Sequence, residues 1–467
     1  MIRRSRPQSF ARCPLALDRP WRKATLDKSR TQQSGPRTKR TASEADESCV
    51  AFAPMITFTA TAVATSAITA HVNVSNREPP MIKFLMLALL GVSVNPIPTL
   101  ANESLPSGQY WVFLGTYTVE AGSNETGSRG IYRSLFDPAT GQLSEPQLAM
   151  ELESPSFLHI APDGKSLYAV SENNQAGGVY SFRLDPQTGT LSQPVTLSSV
   201  GATACHISTD NANKFAVVSN YFGGSFAFFK LQTNGSLDSQ IGHYAIPVTK
   251  IDGVDREARG HCGFFDATGT RAFTCDAGQD KIHIYQVDRA KGTITPNDPP
   301  YLAMPALSAP RHIHIAPNNS VAFVNGERDM TVNLVKLDVP GNRFEVLQSL
   351  STLRESEKVE PGYSTAECRI HPSGKFVYVS NRGHNTIAAF KYDAESMRLS
   401  LAGHITGDIK IPRNFNITPC GQWMLIASQD GGKVGVYQID QSTGLATETA
   451  HSIKIDRCVC IKFLSKP

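Results

Sequence analysis

Several features are scarce in this 467-residue chain, and each scarcity excludes something. Beyond position 101 no stretch carries apolar residues at helical spacing, so a helical or α/β fold is excluded for that part. Nowhere is there a strong membrane-span signal. Residues 51–70 are uncharged but Ala/Thr-rich and only mildly apolar. Cysteine is sparse: seven of nine lie after residue 101 (Cys205, Cys262, Cys275, Cys368, Cys420, Cys458 and Cys460), and their spacing matches neither a disulfide framework nor a zinc site. Several sit inside apolar runs, where a free thiol behaves as a small hydrophobe. Basic clusters are missing too. Residues 1–80 hold 13 of the 45 Lys/Arg and 6 of the 41 Asp/Glu, which leaves 32 basic against 35 acidic residues in the rest. A slightly acidic body without a Lys/Arg patch excludes nucleic acid as a partner.

The first 101 residues read as separate from the remainder of the chain. Residues 1–50 are rich in Arg, Lys, Ser, Thr and Gln and cannot bury enough apolar surface to offset the entropy of ordering, so they are expected to be disordered. Met81-Ile82-Lys83 is a short basic start, Phe84 to Val94 an apolar run of signal-peptide length, and Thr99-Leu100-Ala101 a small-residue cleavage site. The reading adopted is that residues 1–80 belong to an over-extended gene model, 81–101 form a signal peptide, and an exported, periplasmic domain spans 102–467. The competing reading is a long targeting extension on a cytoplasmic protein.

What is present after residue 101 is a repeat. Pro155-Ser156-Phe157-Leu158-His159-Ile160-Ala161-Pro162-Asp163-Gly164 leads into an apolar strand at Leu167-Tyr168-Ala169-Val170. The same sequence of opening, strand, turn and strand returns near 202, 260, 310, 365 and 412, at intervals of about 45 to 58 residues, the range of propeller blades. In the unit starting at 365, four strands are expected at Cys368–Ile370, Phe376–Ser380, Thr386–Tyr392 and Arg398–His404. Asp185-Pro186-Gln187-Thr188-Gly189 and Asp440-Gln441-Ser442-Thr443-Gly444 are hairpin turns between outer strands. A seventh unit is split: Trp111–Thr116, Gly130–Phe136 and Gln142–Gln147 at one end, and Arg457–Phe463 at the other. The fold class predicted is all-β, a seven-bladed β-propeller of four-stranded blades, with the ring closed by pairing N- and C-terminal strands. A ring closed in this way has no open sheet edge, and a monomer is the expected state.

The first strand of each blade lies nearest the axis, so its opening residues should face a common channel. Aligning the repeats on their turns places Ser156, Thr203, His261, Arg311, Ala366 and Arg413 together, followed by Phe157, Ala204, Cys262, His312, Glu367 and Asn414. Two positions on stand His159, His206, Phe264, His314, Arg369 and Asn416. Purely structural positions would repeat one small or apolar residue. Arginines, a glutamate and histidines instead must pair with one another or face a polar ligand, because unpaired buried charge is costly. Arg311 and Arg413 form a natural clamp for carboxylate or phosphate. Glu367 reads either as a catalytic group or as half of a structural ion pair. His312 and His314 have i, i+2 spacing that suits a metal on a strand, but no third ligand is evident, so a metal is not expected.

Ala309-Pro310-Arg311-His312, Cys205-His206-Ile207-Ser208-Thr209-Asp210, Gly260-His261-Cys262, Ser380-Asn381-Arg382-Gly383-His384-Asn385 and Ile411-Pro412-Arg413-Asn414-Phe415 resemble signature segments of the lactonase propeller family, which includes 6-phosphogluconolactonases and carboxy-muconate lactonising enzymes. The resemblance covers residues 110 to 464. It implies a seven-bladed propeller without a cofactor and a site built from His206, His261, Arg311, Glu367 and Arg413, with Arg382 and His312 as further substrate contacts. Asn414 stands where a histidine is common in the family. The implied reaction is metal-independent hydrolysis of a sugar lactone carrying phosphate or carboxylate. A base near neutral pH (His206, His261 or Glu367) would activate water, and an arginine would stabilise the tetrahedral oxyanion. Two alternatives remain open: cyclisation of a carboxy-muconate, which needs a proton donor in place of the base, and a propeller that binds without turnover.

Overall fold

The structure is a computed structural model that describes residues 108–119, 126–173 and 176–467. Residues 1–80 and the signal-peptide reading of 81–101 lie outside the described residues. The rest forms seven antiparallel sheets in a ring, one per repeat. In the sixth blade the strands are Ser364–Ile370, Phe376–Arg382, Thr386–Asp393 and Arg398–Ile405, within a few residues of those expected. Among the described residues the only helical segment is a single 3₁₀ turn, Gln429–Gly431.

Closure occurs as the split unit predicts. The last strand, Cys458–Ser465, pairs antiparallel with the first, Tyr110–Thr116, through Trp111↔Leu464, Phe113↔Lys462 and Gly115↔Cys460. The C-terminal strand is thus the innermost strand of blade 1, and six further blades come after it in chain order from Phe157 to Lys454. The outer strand of blade 1 differs from expectation: in place of one strand at 142–147 there are two short pieces, Gln142–Leu143 and Gln147–Glu151. Pro146 has no N–H to donate to the ladder, and Ser144 Oγ instead takes the Leu135 N–H at 2.9 Å. A small hairpin between blades 3 and 4, Thr249–Ile251 with Val254–Arg256, has no counterpart in the repeat.

Local chemistry explains how each blade folds and how it locks to the next. The outer hairpins open on Asp137, Asp185, Asp288, Asp393 and Asp440, whose carboxylates accept the backbone N–H two residues on at 2.8–3.1 Å. Most close on a left-handed glycine, such as Gly189 (φ 66°) and Gly444 (φ 77°). Aromatic side chains of one blade then dock on the turn of its neighbour. Trp111 Nε1 donates to Pro186 O at 3.1 Å, Trp423 Nε1 to Pro138 O at 3.0 Å, and the Tyr378 hydroxyl to Gly444 O at 2.8 Å. Between blades the inward residues form continuous apolar clusters, for instance Phe390, Val379, Leu334 and Phe323 between blades 5 and 6. These layers hold the seven inner strands around the axis.

Candidate functional site

The inner strands are regular except where they begin. In six of the seven blades the ladder slips there, between Ala204 and His206, Gly260 and Cys262, Pro310 and Ile313, Thr365 and Cys368, Pro412 and Asn414, and Cys458 and Cys460. Such bulges re-aim a side chain and end regular pairing, which here turns consecutive residues toward the axis. They produce an upper ring of Ser156, Cys205, His261, Arg311, Ala366, Arg413 and Val459. Directly beneath it lies a second ring: Phe157, His206, Cys262, His312, Glu367, Asn414 and Cys460. A cavity of about 240 Å³, open to solvent, is lined by residues of both rings and by Glu172.

The register corrects one part of the repeat alignment. His206 is opposite Ser219, level with His312 and Glu367, rather than level with His159 and His314. The blade 3 turn is Asp210-Asn211-Ala212-Asn213, and Asn213 (φ 50°) occupies the left-handed position that Gly164, Gly269, Gly374 and Gly421 fill in four blades and Asn319 in blade 5. Blade 3 alone has neither the turn proline nor the turn glycine, so its turn lacks the usual signature and the repeat alignment is displaced by two residues.

Charge in the cavity is arranged around two arginines in different states. Arg311 is 2% exposed and fixed: Nη1 donates to Ala366 O and, at 3.2 Å, to His312 Nε2. Its Nε forms no hydrogen bond but lies 3.7 Å from Glu327, which accepts from Arg382 Nη2. Burial, followed by the repulsion of Arg413, brings its pKa down to about 10, still fully charged at neutral pH. Arg413 makes no hydrogen bond through its guanidinium among the described residues. It stands 5.4 Å over the Tyr117 ring and 3.8 Å from Glu172 Oε1, while the Tyr117 hydroxyl donates to the other Glu172 oxygen at 2.9 Å. Burial works against its charge, but Tyr117 and Glu172 more than offset this and hold its pKa above the ordinary value.

The three central histidines are not equivalent. His312 donates from Nδ1 to Glu367 Oε1 at 2.9 Å and accepts at Nε2 from Arg311, so both nitrogens are used and the ring is neutral. Burial lowers its pKa to about 4, against the pull of Glu367. His206 is fully buried against Phe157 and does not reach the cavity. Its Nδ1 faces the Gly263 N–H and its Nε2 the Cys262 thiol, each at 3.4 Å. His261 lines the cavity, 5.3 Å from the His312 ring; its Nδ1 is buried without a partner, and its Nε2, the nitrogen left for the cavity, makes no hydrogen bond among the described residues. Burial and the nearby Arg311 keep its pKa well below the usual 6.5.

Glu367 accepts from four groups: His312 Nδ1, the Cys368 N–H, Arg369 Nη2 and Asn414 Nδ2. Burial acts to raise its pKa, but Arg369 and then His312 hold it far below the carboxylate range. A carboxylate so fully engaged orients its neighbours. Arg382, bound to Glu327 and Thr365 O, stands behind Arg311 and does not line the cavity. Among the described residues no three His, Cys, Asp or Glu side chains are grouped for a metal ion.

Residues 111–463 match the family described as lactonase, seven-bladed beta-propeller. The chain belongs to the seven-bladed β-propeller lactonase family. A 6-phosphogluconolactonase of Bacillus subtilis is 27% identical over 356 residues, covering 76% of this chain and 99% of that protein. One from Formosa agariphila is 29% identical over 342 residues, 71% of this chain and 93% of the relative. In fold, the periplasmic gluconolactonase PpgL of Pseudomonas aeruginosa superposes with a TM-score of 0.70 at 24% identity, over 77% of this chain and all of PpgL.

In this lactonase propeller the structure adds residues that sequence reasoning missed. Glu172, Tyr221 and Glu327 lie, together with the Arg382 that the resemblance already implied, at the ends of the second strands of their blades, at or just past the last inner-paired position, so the four occupy one level around the mouth. The signal was available in the sequence as a change of residue after Ser171, Asn220, Gly326 and Asn381. An alignment of the first strands alone does not reveal it.

Proposed function

We propose that this 6-phosphogluconolactonase-like propeller hydrolyses the lactone of a sugar acid that carries a distal anion, by addition of water without a metal. The observation that carries the reading is the pairing of Arg413, whose guanidinium has no hydrogen bond, with His261, the one central histidine with an unengaged nitrogen, across one small cavity. Arg413 binds the distal phosphate or carboxylate. Arg311, held by its own contacts, presents a preorganised positive charge to the carbonyl oxygen. His261 takes a proton from water as the water oxygen bonds to the lactone carbonyl carbon, and the carbonyl electron pair moves onto oxygen beside Arg311. Collapse of the tetrahedral intermediate breaks the ring C–O bond, and the proton on His261 passes to the departing ring oxygen. A bound anion offsets the repulsion of Arg413 and Arg311 toward imidazolium, so substrate binding itself makes His261 a better base.

Export of the domain belongs to the same proposal. Among the described residues no helix is long and apolar enough to cross a membrane. The test is hydrolysis of gluconolactone with and without a 6-phosphate by the purified protein, beside Arg413→Met and His261→Gln. Loss of about 10²-fold or more in kcat for His261→Gln supports the assigned base. A raised KM for Arg413→Met, confined to the phosphorylated lactone, supports the anchor. Unchanged kinetics in either variant refutes that residue's role, and turnover of a carboxy-muconate in place of both lactones refutes the reaction class.

A further inference from the structure

A third ring of inner-strand residues lies below the two that form the cavity. Register places these residues at one height: His159 opposite Tyr168, His314 opposite Phe323, Arg369 opposite Tyr378, Asn416 opposite Leu425 and Lys462 opposite Phe113. All five are partly exposed, whereas His206, Glu367 and Asn414 in the ring above are buried. The channel therefore opens again at the end opposite the cavity.

Charge at this lower end does not balance. Arg369 and Lys462 bring two cations, and among the described residues the only carboxylate near them is Glu367, one ring higher. Arg369 Nη2 reaches Glu367 Oε2 at 3.3 Å, but its Nε is buried without a partner. Lys462 Nζ makes no hydrogen bond or ion pair among the described residues and rests 4.3 Å over the Phe157 ring. Glu367 already accepts from three other donors, so it does not neutralise both cations. The remaining groups facing this ring are uncharged. Asn416 donates to Ile461 O at 3.0 Å, His159 Nε2 meets the Thr209 hydroxyl at 3.0 Å, and His314 Nδ1 accepts from the Ile370 N–H at 3.0 Å. Burial, with Lys462 or Arg369 nearby, takes both histidines down to about 3, and burial with Arg369 lowers Lys462 to about 8.

We propose that the lower end of the axial channel is a second anion site, separate from the lactone cavity, in which Lys462 Nζ and Arg369 Nε hold a small inorganic anion. The anion supplies the missing counter-charge for the partly exposed Lys462 ammonium and the missing acceptor for the buried Arg369 Nε–H, which would otherwise carry the cost of desolvation. It also explains why a lysine occupies a ring whose other members are neutral or paired. Phe157 and the second ring lie between this site and the cavity, so the lower site is independent of the substrate anchor Arg413.

Bromide is a direct probe. In crystals of the wild-type protein soaked in bromide, the anomalous map should show a peak in contact with Lys462 Nζ and Arg369. In solution at constant ionic strength, replacing a bulky organic sulfonate with chloride should raise Tm by roughly 2 °C. The rise should vanish in Lys462→Met, which keeps the contact with Phe157 but removes the charge, and persist in Arg413→Met. A bromide peak only beside Arg413, or no peak on the axis, overturns the proposal, as does an equal chloride effect in Lys462→Met. The wild-type soak decides the matter even if Lys462→Met does not fold.

Discussion

Replacing Glu367 with glutamine tests the electrostatic organisation of the channel. The carboxylate accepts from His312, Arg369, Asn414 and the Cys368 N–H, so its charge is spread over four donors in a buried site. Glutamine keeps the shape but turns one end into a donor, which faces donors already there, and it leaves Arg369 without a counter-charge. Breaking one side of a buried pair in this way costs about 3–5 kcal/mol. For a domain of this size, where each kcal/mol moves Tm by about 2 °C, the expected fall is roughly 6–10 °C at pH 7. Calorimetric melts of the wild type, Glu367→Gln, Arg369→Met and the double variant provide the assay. The double variant should lose less than the two single losses combined, because Arg369 is then no longer stranded. The pH dependence adds a sign. Glu367 is held far below its ordinary value of 4.5, so its contribution is complete above about pH 4.5 and is lost as pH falls below it. The gap between wild type and Glu367→Gln should therefore hold from neutral pH down to about 4.5 and close at lower pH. A Tm within about 1 °C of wild type, or strictly additive losses, would refute the reasoning.

The same geometry leads to two more outcomes. His159, His312 and His314 fall to about 3, 4 and 3, and His206 and His261 are also lowered, so the unfolded chain binds more protons than the folded one once pH drops below about 6.5. Stability should be flat near pH 7 and fall steadily between 6.5 and 4; melts across that range check it, and a Tm that rises on acidification would contradict it. At the blade 7 turn, Gly444 has φ 77° and an added Cβ would stand 2.3 Å from Phe376 Cδ1. Gly444→Ala should destabilise by about 2–3 kcal/mol while leaving the KM for lactone unchanged, because the turn is at the outer rim of the ring.

The repeat was legible because it is local. Asp185 to Gly189 and Asp440 to Gly444 each encode a turn in five residues, and the apolar strands beside them alternate without interruption. The split blade was legible for the same reason, since Cys458 to Phe463 is an apolar strand with no turn partner of its own. Where local chemistry departs from the repeat, the pattern misleads. The blade 3 turn has neither proline nor glycine, which shifts blade 3 by two positions, and Pro146 breaks an outer strand that composition alone makes continuous.

By itself the sequence determined the all-β class, the seven blades, the closing strand, and that His261, Arg311, His312, Glu367 and Arg413 meet at the axis. These come from spacing and from which positions fail to repeat. Only the tertiary structure decided what each of these residues is free to do. Hydrogen bonds occupy both nitrogens of His206 and His312 and all the capacity of Glu367, while His261 keeps an unpartnered nitrogen and Arg413 an unbonded guanidinium. Many of these partners come from neighbouring blades, some fifty residues apart in the chain. Availability for chemistry depends on distances and angles across the ring, which no local pattern encodes.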